Sequence, residues 1–150
     1  MNDIDVEVEE EAWLTALPDV EPLSRAAAQM ALAHADFEGH VVVLLTHDEE
    51  IFDLNLRFRQ QAKPTNVLSF PAPLNPETHL GDVALAYGVC AREAVAQGKP
   101  LAHHLQHLVA HGVLHLVGYD HEQADEALEM ESLERRVLAD LGVPDPYDAD

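Results

Sequence analysis

Basic residues are scarce in this sequence: 8 Lys and Arg stand against 28 Asp and Glu, for a formal net charge of −20. Phosphate binding normally draws on a basic surface, so the overall charge argues against a nucleic-acid partner. Cysteine is nearly absent. The single Cys90 excludes an internal disulfide and suits a reducing compartment. No apolar run approaches the roughly 20 residues that cross a bilayer. The acidic start, MNDIDVEVEEEAW, also lacks the basic-then-apolar order of a secretory leader. These absences lead to the expectation of a cytoplasmic protein with no membrane partner. Aromatic residues make up only 5%, and Trp13 and the phenylalanines read as core, without the basic-aromatic interleaving that stacks bases.

The acids are unevenly placed. Six lie in residues 1–11 and ten in 122–150, which reads as solvated, acidic ends. Between Leu54 and Pro76 there is no acid, while Arg57, Arg59 and Lys63 add three positive charges. If this island borders a functional site, it provides a local positive cleft on a negative molecule, and phosphate binding there would be weak and salt-sensitive.

At 150 residues, 47% of them apolar, the chain is expected to form one domain over residues 1–150 with a real core. Ile4, Val6 and Val8 alternate with acids, the pattern of a half-buried strand. The alanine-rich LSRAAAQMALAHADF reads as a helix stopped near Gly39, and HVVVLLT (40–46) as a buried strand. Thr46 and Glu49 have the capping-box spacing, predicting a helix over 48–58. TNVLSF reads as a strand, PAPLNPETH as a loop whose prolines break a ladder, and LGDVALAY as a fourth strand. Helices are expected over about 89–97, from Pro100 to a stop at Gly118, and over about 122–140, with 142–150 a loose tail. The fold class is thus α/β, a small mixed four-stranded sheet covered by helices.

On the helix that starts near Pro100, His104, His107, His111 and His115 fall within about 80° of one another at 100° per residue. His111 and His115 are one turn apart, a spacing that lets two imidazoles hold one metal ion. Gly118 breaks the helix, and His121 can fold back as a third nitrogen. Three imidazoles with an open fourth position describe a catalytic zinc site, although nickel, copper or cobalt also accept such a set. His104 and His107 are read as support for the ligands or as packing. His34, His40, His47 and His103 are read as packed or surface residues. Zinc proteases place a glutamate directly after the first histidine; here that position is Gly112.

LNLRFR (54–59), KPTNVLSFP (63–71), LGDVALA (80–86) and HGVLHLVGYDH (111–121) together resemble the YbeY family of bacterial zinc-dependent endoribonucleases. The resemblance covers roughly residues 40–121. It implies a single-domain α/β fold, one Zn2+ ion held by His111, His115 and His121, and single-stranded RNA as substrate. It further implies maturation of the 3′ end of small-subunit ribosomal RNA, ribosome quality control, and the small ribosomal subunit as partner. The family's functional arginine falls on Arg59.

These residues suit phosphodiester cleavage. Zinc lowers the pKa of a bound water to about 7, so a glutamate base is dispensable. A guanidinium grips two phosphate oxygens and never loses its charge, which makes Arg59 the candidate for stabilising the crowded phosphorus. Arg59 and the metal-bound His111 are therefore the expected catalytic residues. Arg57 and Lys63 read as phosphate contacts or plain surface charge. Asp82 can orient a histidine or cap a turn, Asp120 can support a ligand, and Cys90 reads as buried and inert. Two other readings stand beside the nuclease: a non-catalytic, zinc-containing ribosome-assembly factor, and a peptidase-like hydrolase drawing its base from elsewhere.

Overall fold

The computed structural model describes residues 2–120 and 123–147. They form β1 (Asp3–Val8), α1 (Ala12–Ala16), α2 (Val20–Ala35), β2 (His40–Thr46), α3 (Asp48–Arg59), β3 (Val67–Pro71), β4 (His79–Ala86), α4 (Tyr87–Gln97), α5 (Leu101–Leu116) and α6 (Ala124–Asp140). The sheet order is β1-β2-β4-β3, with β1, β2 and β4 parallel and β3 antiparallel to β4. The expected mixed four-stranded sheet is therefore the one the chain forms, and β1 and β3 are its edges.

Alternation along the strands gives the sheet two unlike faces. Val41, Val43 and Leu45 of β2, Val83 and Leu85 of β4 and Ile4 of β1 join one core with α2, α5 and α6. α5 is the centre of that core. Ten of its residues are buried, among them Leu105, Val109, Val113 and Leu114, each such side chain contributing about 1.5–3 kcal/mol on leaving water. The other face carries a smaller cluster, Leu68, Ala84 and Ala86 against Ile51 of α3. Val42 and Leu44 continue that face; Leu44 packs against the cluster, and both line an open groove.

Several local expectations are corrected. The helix read as ending at Gly39 stops at Ala35, where Asp36 takes the left-handed conformation (φ 58°) and its N–H returns to Leu32 and Ala33. α3 is capped by the His47 ring, which accepts from the Glu50 N–H at 3.2 Å, while the Thr46 hydroxyl is buried without a partner; the capping box does not form. α1, a single short turn, had no periodicity to announce it. Trp13 is fully buried as expected, but not every phenylalanine is core: Phe58 is 65% exposed and Phe37 42%, while Phe70 packs half-buried against the smaller cluster. The tail is not loose through residue 147. Val143 is buried, Arg135 pairs with Asp145 at 3.1 Å, and the Tyr147 hydroxyl reaches the buried Glu134.

Candidate functional site

α5 is terminated by a left-handed turn that glycine makes inexpensive: Gly118 has φ 104°, and the Tyr119 N–H closes back on the Leu114 carbonyl at 3.0 Å. This turn leads Tyr119 and Asp120 back beside the last turn of the helix. Together with His111, His115, Arg59, Thr65, Asn66, Val67, Ser69 and Pro71 they bound a pocket of about 610 Å³. Arg59 arrives from the opposite wall as the last residue of α3, where Gln60 ends the helix in the left-handed conformation. Asn55, 2% exposed, ties the following loop down by donating to the Lys63 carbonyl at 2.9 Å.

The two imidazoles on α5 are aimed at each other: His111 Nε2 and His115 Nε2 stand 3.1 Å apart. On the far side of its ring, His111 Nδ1 donates to Glu134 Oε1 at 2.5 Å, which leaves Nε2 with its lone pair toward the pocket. Two nitrogens serving one tetrahedral zinc at 2.0–2.1 Å stand about 3.3 Å apart. The donor types, the fixed tautomer and the spacing thus fit a zinc ion. His121, the third expected ligand, lies outside the described residues. Among those residues, no group of three His, Cys, Asp or Glu side chains is placed to hold a metal.

Glu134 and Tyr147 escaped the sequence reading. Burial by itself would raise the Glu134 carboxyl, yet hydrogen bonds from His107, His111 and Tyr147 outweigh it and hold the group down at about 2. It therefore stays an anion behind His111, the carboxylate partner that ligating histidines usually have. Burial and the neighbouring Glu134 carboxylate push the Tyr147 phenol well above its ordinary range, so it remains a donor. A signal for Glu134 does exist. It stands at a core position of α6, spaced with Met130, Val137 and Leu138, where only an apolar residue or a partnered acid belongs. Nothing in the sequence marked Tyr147.

The remaining candidates divide between the site and its surroundings. His107 belongs to the support, 3.6 Å from Glu134 Oε2. His104 faces Glu93 at 2.8 Å and lies away from the pocket. Asp82 sits beside His79 at 3.2 Å, and Arg57 leans toward Glu50 at 3.8 Å. Of the island's three cations only Arg59 lines the pocket. Cys90 is buried, and desolvation pushes its thiol far up, as befits an inert residue.

Gly112 has a steric explanation. A Cβ there would lie 2.6 Å from Val83 Cγ1 and 3.2 Å from Ser69 Oγ, and Ser69 donates to the Gly112 carbonyl at 2.9 Å. This position faces the sheet, not the pocket, so a glutamate there would reach no substrate. Gly112→Ala is expected to destabilise the fold by about 1–3 kcal/mol of overpacking, partly offset by about 1 kcal/mol of helix propensity. Urea unfolding of the two proteins measures the difference.

A pH effect follows from His104. Burial lowers its pKa below 6.5 despite the Glu93 contact, and Nδ1 is buried without a partner, so a second proton there would find no acceptor. The unfolded chain binds that proton more readily. Stability is then fully present above about 6.5 and declines as pH falls from there toward the folded pKa. Between pH 7.5 and 5.5, His104→Gln should lose less unfolding free energy than the wild type in denaturant titrations.

The chain is similar to known proteins over nearly its whole length. The family Endoribonuclease YbeY matches residues 4–142. An endoribonuclease YbeY of Azorhizobium caulinodans is 50% identical over 153 residues, spanning 97% of this chain and 96% of that protein. One of Maricaulis maris is 47% identical, spanning 98% and 92%. The solution structure of TM1509 from Thermotoga maritima superposes with a TM-score of 0.57 at 26% identity, covering 99% of both chains.

Proposed function

The chain belongs to the YbeY family of endoribonucleases, and we propose that this endoribonuclease depends on one zinc ion and cuts single-stranded RNA. We further assign it to maturation of the 3′ end of small-subunit ribosomal RNA and to ribosome quality control, with the small subunit as its partner. The observation that carries the chemistry is the convergence of Arg59 with two imidazoles whose Nε2 atoms share one point of a single pocket. The ribosomal assignment rests on the family resemblance.

His111, His115 and, from the sequence pattern, His121 would hold the zinc. When bound, the ion would supply Lewis acidity toward a water or a phosphate oxygen. Arg59 would clamp the scissile phosphate and meet the charge that grows on it in the transition state. Glu134 keeps a proton on His111 Nδ1 and so keeps Nε2 available as a ligand.

The test is cleavage of a labelled RNA, single-stranded or annealed to its complement, before and after chelation and zinc return. The expected result is cutting of the single strand alone, lost with chelator and restored by zinc. Undiminished cutting in chelator would remove the metal from the reaction. In cells, depletion should leave small-subunit RNA with an unprocessed 3′ end; normal ends would overturn the ribosomal assignment.

A further inference from the structure

The open face of the sheet carries a second concavity, next to the histidine pocket. Val42, Leu44 and Ala84 form its floor, Leu54 and Phe58 of α3 stand on one side and Phe70 of β3 on another, around about 710 Å³. Phe58 is 65% exposed. Its ring meets that of Phe70 edge to face, with centroids 5.7 Å apart, and the Arg57 guanidinium carbon lies 5.6 Å from its centroid. Arg-Phe-Arg at the end of α3 is thus a basic-aromatic alternation whose ring is not core.

Three residues, Arg59, Ser69 and Pro71, line both this groove and the histidine pocket. Arg59 stands at the junction and, among the described residues, is the only cation lining the groove; the other charged residues lining it are the acids Glu7 and Asp82. That charge distribution sorts the parts of a nucleotide. A phosphate meets an apolar floor and two carboxylates, so it belongs at Arg59. The ribose has no flat apolar face. A base has a π face for the phenylalanines and N–H edges that carboxylates accept. A nucleotide whose phosphate lies on Arg59 has its base within reach of Phe58, the adjacent residue.

We propose that this groove is a nucleobase subsite, in which the base flanking the scissile phosphate stacks on Phe58 and Phe70 on the far side of Arg59. The proposal rests on the endoribonuclease reading. An apolar side chain of a protein partner would also fit the floor, but continuity with the phosphate end of the site through Arg59 favours a base. The subsite also explains how so acidic a chain engages RNA, since stacking needs no net positive charge.

The test is a set of short single-stranded RNAs with one cleavage site. In each, one flanking nucleotide is replaced by an abasic ribose, which keeps the phosphates and removes one ring. Wild type should lose about tenfold in kcat/KM at one flanking position, the scale of a single base–aromatic stack. Phe58→Ala should lose a similar factor on intact RNA and be indifferent to the abasic substitution there; Phe58→Trp should recover both. Unchanged melting of the alanine variant, expected for so exposed a side chain, excludes a folding explanation. An abasic penalty equal in wild type and Phe58→Ala, or no penalty anywhere, overturns the subsite and leaves the nuclease standing. A wild type that cuts none of the RNAs removes both.

Discussion

Arg59→Ala should cut single-stranded RNA about 10²–10³-fold more slowly than wild type, the usual loss when one donor to a developing oxyanion is removed. Its zinc content should be unchanged. The side chain is exposed at the last position of α3 and pairs with no carboxylate among the described residues, so melting should not move either. Arg59→Lys should recover only part of the rate, because an ammonium is a point charge and cannot fork across two phosphate oxygens. The decisive comparison purifies both proteins side by side and measures metal content before rate. Equal rates at equal zinc would take Arg59 out of the chemistry. If neither protein cuts although zinc is present, the assembly-factor reading becomes the better one.

His115→Ala should remove both metal and activity. One of two nitrogens 3.1 Å apart is lost, and with it the proposed zinc, whose Lewis acidity would be worth several kcal/mol, or about 10³-fold or more in rate. Elemental analysis after dialysis is the first readout and cleavage the second. The fold itself should survive. α5 is buried against the sheet, α2 and α6 by apolar contacts, so circular dichroism should be unchanged and melting lowered only by the lost binding energy of the ligand. A domain that unfolds on losing zinc would instead mark the ion as structural, which is what a non-catalytic factor predicts.

The fold was legible where periodicity was strong. HVVVLLT read as a buried strand from its β-branched run, and the histidine helix announced its length through Pro100 and Gly118. Where a residue's partner decided the outcome, the sequence was a poor guide. Thr46 has the spacing of a cap, but tertiary packing buries its hydroxyl and His47 takes the role. Asp36 ends α2 ahead of Gly39 because an aspartate tolerates the left-handed turn. The site shows the same division. His111, His115 and Arg59 could be named because motif and spacing carry them, whereas Glu134 and Tyr147 matter only through long-range contacts with α5. Phe58 was misread because an aromatic ring is ordinarily core material, and only the partial cover of the sheet shows otherwise.

The sheet's two borders bear on how the molecule behaves in a crowd. An edge strand offers unpaired amides and carbonyls to any passing extended segment. Here β3 has five residues and finishes at Pro71, which has no amide hydrogen to offer. β1 carries Asp3, Asp5 and Glu7 at alternate positions along the opposite border, so a docking strand would have to bring its backbone alongside a row of carboxylates. The acids of β1 thus set like charges against edge-to-edge pairing of two copies of the sheet.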